Sequence, residues 1–184
     1  MPLAHAILGF LDYSPMSGYD LKKFFDQSIV HFWSATQSHI YKALEKLEED
    51  GFVSAEIILQ DGKPNRKQYQ LTPAGREELH RWVVTPLPLS PTREAWLIQI
   101  FFSHASSNAE VIALLQNRAE QIKANLAAFQ QEKTTHPSTE RASLPGVERK
   151  SRLWKLTGEY GAAYYQAELV WLEDAIRKIQ EFPD

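Results

Sequence analysis

A change of hydrophobic period at Gly51 constrains the fold of this chain more than any other feature of its sequence. Before Gly51, apolar residues recur at helical spacing in three short segments. After it, the alternation from Phe52 to Leu59 is typical of a strand, and Lys67 to Leu71 is predicted to return beside it as a hairpin. Thr72 and Pro73 have the residue types of an N-cap and a first helical position, so they should open a fourth helix. The predicted order is helix, helix, helix, strand, strand, helix.

The same spacing predicts which side chains form the core of this first part. Ser17 is expected to cap the second helix, and Gly51 to follow the end of the third. The expected core residues on the helices are Leu21, Phe24, Phe25, Ile40, Leu44, Leu47, Leu79, Trp82 and Val83. On the strands we expect Val53, Ala55, Ile57 and Leu59 to share one face, and Tyr69 and Leu71 to point inward.

Beyond a proline-rich linker at residues 86–92, the pattern is helical throughout. One helix is predicted from residue 92 to 104, and a capping box at Ser107 to Glu110 opens the next. Residues 134–146 are predicted to be a loop, and the last helix to run from about residue 148 to 181. It carries a long apolar seam, formed by Leu153, Leu156, Tyr160, Ala163, Ala167 and Val170. Such a seam calls for a partner helix, from this chain or from a second subunit.

Composition excludes several classes of protein. The chain has no cysteine, which excludes disulfides, thiol chemistry and every Cys-ligated metal site. No segment has the pattern of a signal peptide or a membrane span, so we expect a cytoplasmic protein. The formal net charge is -3, and neither side of the proline cluster is basic. Contacts with nucleic acid must therefore come from a local group of cations.

Three helices followed by a hairpin with a basic tip are typical of a winged helix, a variant of the helix-turn-helix. The third helix points its apolar residues inward and leaves a polar amino-terminal end free to approach DNA. The candidate DNA-binding residues are Thr36, Gln37, Ser38, His39, Tyr41 and Lys42 on this helix, and Lys63, Asn65, Arg66 and Lys67 at the hairpin tip. The alternative is a winged-helix adaptor that binds proteins through the acidic face of the third helix and binds no nucleic acid.

Three segments of the first part resemble the PadR family of transcriptional regulators. They are Ser17 to Leu21, His39 to Val53 and Lys67 to Arg76, and His39 stands where the family pattern has a hydroxyl or small residue. The second half, around Leu153 to Thr157, Gly161 and Trp171 to Glu173, is similar to the longer PadR subgroup that includes virulence-gene activators.

The resemblance implies a homodimer joined through its C-terminal helices, with two wings gripping an inverted-repeat operator. It also implies that Tyr41, Arg66 and Lys67 contact the DNA backbone or minor groove. The expected protein is mainly α, with a winged helix-turn-helix domain at 1–85, the linker at 86–92 and a helical, coiled-coil-like dimerisation domain at 93–184. The apolar seam supplies the dimerisation residues.

Nothing local in the sequence predicts an enzyme, a cofactor or a metal site. There is no glycine-rich phosphate loop, and the six histidines lack the paired spacing of metal ligands. The aromatic residues of the second half have two interpretations. They can be core and dimer packing, or, as in PadR relatives that sense flat aromatic compounds, Trp96 and Trp154 can line a pocket for a small aromatic effector.

Overall fold

The computed structural model describes residues 2–29, 32–59, 65–91, 93–132 and 147–183. The chain forms two compact units, Met1–Leu89 and Ser90–Asp184, each with a hydrophobic core of its own. Residues 86–91, which belong to the proline cluster, contain neither helix nor strand, and the boundary between the two units falls within this stretch of the sequence.

The first unit has a helical body and a small antiparallel sheet. In chain order its elements are α1 (Pro2–Leu11), β1 (Met16–Ser17), α2 (Gly18–Ser28), α3 (Gln37–Glu49), β2 (Val53–Ile58), β3 (Arg66–Leu71) and α4 (Pro73–Val83). The strands pair in the order β1-β3-β2, with Met16 opposite Tyr69 and Val53 opposite Leu71. The sequence predicts only the β2–β3 hairpin, because a two-residue strand is too short to show a period.

Side-chain caps begin two of these helices where the sequence places them. Ser17 and Asp20 form a reciprocal capping box, in which the Ser17 hydroxyl accepts from the Asp20 N–H at 3.2 Å and the Asp20 carboxylate accepts from the Ser17 N–H at 3.0 Å. Thr72 accepts from the Gly75 N–H at 3.0 Å at the start of α4. Gly51 follows α3 with a φ of 74°, the left-handed conformation that glycine adopts without strain.

The core of the first unit lies between the three amino-terminal helices and the inner part of the sheet. Leu21, Ile40 and Leu44 are fully buried, and Val53 and Tyr69 close the core from the strands. Both sets of residues confirm the sequence-based expectation for this core. Its buried area removes apolar surface from water, which is the main force that holds the helices together.

The structure differs from the expected core at Val83, and it buries only the inner end of the apolar face of β2. Burial declines along β2 from its first residue to its last. Ile57 is 64% exposed, and Leu59, just beyond the strand, is 79% exposed. Among the described residues, the apolar side chains at the outer end of β2 are therefore left at the surface. Val83 is also exposed, because it lies in the last turn of α4, one residue beyond the inward face that carries Leu79 and Trp82.

The second unit is helical. Its elements are α5 (Ala95–Phe101), a 3₁₀ turn (Ser103–Ala105), α6 (Asn108–Glu132) and α7 (Val147–Gln180). Helix α5 is shorter than predicted, and a 3₁₀ turn replaces its last residues. The predicted capping box at the start of α6 is confirmed, since the Ser107 N–H donates to the Glu110 carboxylate at 2.8 Å. The core joins α6 to α7 through Val111, Leu115, Ala119, Ile122, Leu172 and Ile179. The loop predicted at 134–146 lies outside the described residues.

Candidate nucleic-acid interface

The amino-terminal end of α3 presents polar side chains to solvent. Gln37, Ser38, His39 and Lys42 are all exposed, as the helical spacing predicts. Thr36 is exposed too, but its hydroxyl accepts a hydrogen bond from the His39 N–H at 3.3 Å and so caps the helix. The residue type and its place just before the helix are the sequence signal for this cap. The structure therefore assigns Thr36 a role in starting the helix that bears the other candidates.

Tyr41 lies on the exposed flank of α3 with its ring against the first turn of α2. It is 39% exposed, and a Cβ atom placed on Gly18 would come within 2.6 Å of Cε1 of the ring. Gly18 thus leaves the space in which the ring lies, and a larger residue there would displace the ring. The sequence alone does not predict this role of Gly18, because a contact between two helices leaves no mark in local spacing.

Both of the described wing cations are paired with carboxylates of the helical body. We use wing for the β2–β3 hairpin, residues 53–71. Arg66 forms an ion pair with Asp20 in the first turn of α2. The Lys67 Nζ donates to Oε2 of Glu48 on α3 at 2.8 Å, and lies 5.2 Å from the ring centroid of Tyr69. Neither carboxylate was singled out from the sequence as a partner of the wing.

These contacts shift the pKa values of Lys67 and Asp20. The hydrogen bond to Glu48 raises the pKa of Lys67. Burial acts to raise the pKa of Asp20, but hydrogen bonds from Ser17 and the nearby Arg66 guanidinium outweigh it and hold that pKa below its usual value. Both shifts favour the charged forms of Lys67 and Asp20.

The first turn of α2 connects the two parts of the candidate interface. Gly18 touches Tyr41 of α3, and Asp20 binds Arg66 of the wing. Tyr41 and Arg66 therefore contact the same turn of α2, although twenty-five positions separate them in the sequence. Asn65 is exposed at the start of β3, and Lys63 lies outside the described residues.

The apolar seam of α7 faces away from α6. Leu156, Tyr160 and Val170 are 58%, 71% and 67% exposed, and the other seam residues are exposed as well. The residues that pack toward α6 include Tyr165, Leu169 and Leu172, each two positions after a seam residue. Two positions correspond to about 200° around a helix, so the seam and the α6 contact lie on opposite faces. No helix of the described chain covers the seam.

Trp96 and Trp154 lie far apart within one chain. The Trp96 ring meets Trp171 edge to face, with centroids 5.5 Å apart, and the Arg118 guanidinium lies 4.2 Å from its centroid. Its indole N–H donates to Glu94 at 3.1 Å. Trp154 precedes Trp171 on α7 by about 25 Å of helix at a rise of 1.5 Å per residue. A small ligand therefore cannot touch both tryptophans of one chain.

The described residues contain neither a membrane-spanning helix nor a cluster of metal ligands. No helix there is long and apolar enough to cross a membrane. No three His, Asp or Glu side chains in the described part of the chain come together as metal ligands would. What the first unit does offer is a polar helix end, a tyrosine and two cations on neighbouring elements, which suits contact with a phosphate backbone.

Comparison with known proteins matches both units. Residues 7–81 match the family described as Transcriptional regulator PadR-like family, and residues 92–180 match Virulence activator alpha C-term. The negative transcriptional regulator PadR of Bacillus subtilis (strain 168) is 33% identical over 129 residues, or 70% of this chain and 71% of that protein. A probable transcriptional regulator of Mycobacterium tuberculosis is 46% identical over 93 residues, 50% of this chain and 48% of that one.

Solved structures show the same similarity over nearly the whole chain. Bacillus subtilis PadR in complex with operator DNA has a TM-score of 0.81 at 28% identity, covering 97% of this chain and 99% of that one. The same regulator in complex with p-coumaric acid has a TM-score of 0.73 at 27% identity, covering 98% and 96%. The Vibrio cholerae virulence activator AphA, at 24% identity, has a TM-score of 0.72 over 97% and 98% of the two chains, and shows a shared fold.

The family matches, the relatives and the structure agree with one another. The relatives are transcriptional regulators and not enzymes. The first unit has the three helices and the hairpin of a DNA-binding winged helix, and the second is helical, as the sequence predicts. The chain belongs to the PadR-like family of transcriptional regulators.

Proposed function

We propose that this protein binds an inverted-repeat DNA operator as a homodimer and so regulates transcription. The observation that carries the proposal is the polar end of α3 lying beside Tyr41 and the wing cations. In this arrangement Gln37, Ser38 and His39 face base edges, while Tyr41, Lys42 and the wing hold phosphates. A solved complex of Bacillus subtilis PadR with operator DNA supports the assignment.

The wing residues divide the phosphate contacts between them. Arg66 and Lys67 supply charge from β3, and Asn65 supplies an amide at its start. Lys63 belongs to the same proposed set. Residues 1–85 act as the DNA-binding domain and residues 93–184 as the dimerisation domain, with residues 86–92 as the linker. Because a transcriptional regulator must reach DNA, we propose that the protein is cytoplasmic.

The homodimer is proposed from the exposed apolar seam. No described residue covers the face that carries Leu156, Tyr160 and Val170, and apolar side chains at that spacing pack well against a second helix. A second copy supplies the same seam under twofold symmetry. Dimerisation then places two copies of α3 on one duplex, so the preferred site is two half-sites about one helical turn apart.

We also propose that a small aromatic effector binds the second unit and alters DNA affinity. The complex of Bacillus subtilis PadR with p-coumaric acid supports an effector of this class. Trp96 is half-buried beside Trp171 and Arg118, a setting that suits a flat ring. Because Trp154 is about 25 Å from Trp171 along α7, an effector that touches both Trp96 and Trp154 has to sit between two subunits.

Unbiased selection of DNA fragments by the purified full chain tests the central proposal. Enrichment of a palindrome is the expected result, and Gln37→Ala should relax the preference at particular base pairs without abolishing binding. No enrichment at low salt would contradict operator binding and would favour a winged-helix adaptor that binds proteins.

The effector is tested separately, by titrating phenolic acids while following tryptophan fluorescence and operator affinity together. The expected result is quenching that accompanies a change in affinity, since a ligand shifts DNA binding only by its preference for one state. Quenching with unchanged operator affinity would reject regulation, and Trp96→Phe shows whether the signal comes from the proposed site.

A further inference from the structure

The cations of the wing are already bound by anions of the same chain. Arg66 pairs with Asp20 of α2, and Lys67 pairs with Glu48 of α3 at 2.8 Å. Neighbouring residues of a strand point to opposite faces, so the two cations would normally face different surroundings. Here each of them meets a carboxylate of the helical body.

Both ion pairs are accessible to solvent, so their partners can exchange. The side chains of Lys67 and Glu48 are 47% and 36% exposed, and those of Arg66 and Asp20 are 42% and 30% exposed. Ion pairs at such a surface exchange partners readily, because water screens them and the side chains are long. A phosphate oxygen offers the same negative acceptor as a carboxylate, and duplex DNA presents many of them close together.

We propose that Glu48 determines DNA affinity by competing with phosphate for Lys67, and that Asp20 does the same for Arg66. This inference rests on the proposed operator binding. Each wing cation exchanges its carboxylate for a phosphate when DNA binds, and the carboxylate left behind returns to solvent. The two acids thus lower affinity for every duplex alike, and the binding of unrelated DNA stays weak although the wing is locally basic.

The sign of the effect separates competition from simple positioning. If Glu48 competes, Glu48→Gln frees Lys67 and strengthens DNA binding by about two- to fivefold, the usual range for an exposed pair. If Glu48 instead holds the wing in its binding position, the same change weakens binding. Because Gln has the shape of Glu and lies at the surface, the variant should keep the melting temperature of the parent.

A double-mutant cycle with Lys67→Gln removes the remaining ambiguity. The gain from Glu48→Gln should disappear when Lys67 is absent, since the competition needs both partners. Glu45→Gln is the matched control, because Glu45 lies on the same helix and forms no ion pair with any described residue. Its effect on affinity should be the same with and without Lys67.

The outcomes also distinguish this inference from the proposed function. Affinity is measured with full-length protein, the selected operator and an unrelated duplex at one salt concentration. A wild-type chain that binds neither duplex would reject operator binding itself, and the inference with it. A wild-type chain that binds, together with a Glu48→Gln variant that binds equally or more weakly, would overturn the inference alone. A gain that survives in the Lys67→Gln background would also overturn it, because general repulsion would then explain the effect.

Discussion

At the scale of single residues, Gly75 allows the start of α4 to lie close to the chain just ahead of β2. A Cβ on Gly75 would lie 2.0 Å from the backbone oxygen of Phe52, a distance that no side chain tolerates. That oxygen also accepts hydrogen bonds from the N–H and the hydroxyl of Thr72, at 3.1 and 3.0 Å. The start of α4 is therefore fastened to the chain just ahead of β2 by contacts that need glycine.

Gly75→Ala should lower the free energy of unfolding by about 2–3 kcal/mol, because the added methyl group forces backbone atoms apart. Thermal and urea unfolding measure the loss. Gly9→Ala is the control: it adds the same methyl group to a helix where nothing lies within 4 Å, so it should leave stability equal or raise it by up to about 1 kcal/mol. Equal stabilities for the two variants would show that the contact at Gly75 relaxes at no cost.

Tyr41→Phe should weaken operator binding about tenfold while the melting temperature stays nearly constant. The reason is that the ring packs on Gly18 and is retained, whereas the hydroxyl that would donate to a phosphate is lost. Affinity measurement and thermal melting test the two halves of this prediction. A large loss of stability with normal DNA binding would show that the hydroxyl serves the fold instead.

At the scale of elements, the wing is a hairpin only partly supported by the core. Its inner residues, Val53 and Tyr69, are buried, whereas Ile57 and Ile58 near the tip are exposed. Ion pairs connect Arg66 of β3 to α2 and Lys67 of β3 to α3. Exposed ion pairs of this kind are weak, so both cations can exchange their partners for phosphates in the proposed interface.

Arg66→Ala or Lys67→Ala should reduce the salt dependence of DNA binding by about one unit of slope, because each neutralises one phosphate. The affinity should fall to a similar degree for operator and unrelated duplexes. Arg76→Ala is the matched control, since Arg76 is an exposed arginine of α4 paired with Asp12. An unchanged slope for both wing variants, measured from 50 to about 300 mM salt, would place the wing outside the interface.

At the scale of the whole molecule, the proposed dimer depends on the face of α7 opposite to α6. The α6 side is closed by Leu172 and Ile179, so the core of the second unit is complete within one chain. No described part of the chain covers the seam in this way. An apolar stripe of this length is typical of a coiled-coil interface.

Leu156→Glu should convert the proposed dimer into a monomer and reduce operator affinity about 100-fold or more, because a charge would be buried in the seam and the two half-sites would lose their linkage. Light scattering and operator titration measure the two effects. Ser151→Glu, an exposed position off the seam on the same helix, should change neither. A Leu156→Glu variant that remains dimeric would place the interface elsewhere, and truncation near residue 146 provides a cruder second test.

Local chemistry in the sequence determined the elements and the family of this protein, whereas only the tertiary structure decided which of them meet. Ser17, Thr72 and Gly51 mark helix boundaries through bonds within a few residues of themselves, so spacing alone predicts them. The pairing of β1 with β3, the contact of Tyr41 with Gly18 and the carboxylates that hold Arg66 and Lys67 join distant positions. The same limit explains the exposed outer half of β2 and the uncovered seam of α7. Periodicity shows that a face is apolar, but burial depends on what another part of the chain, or another chain, places against it.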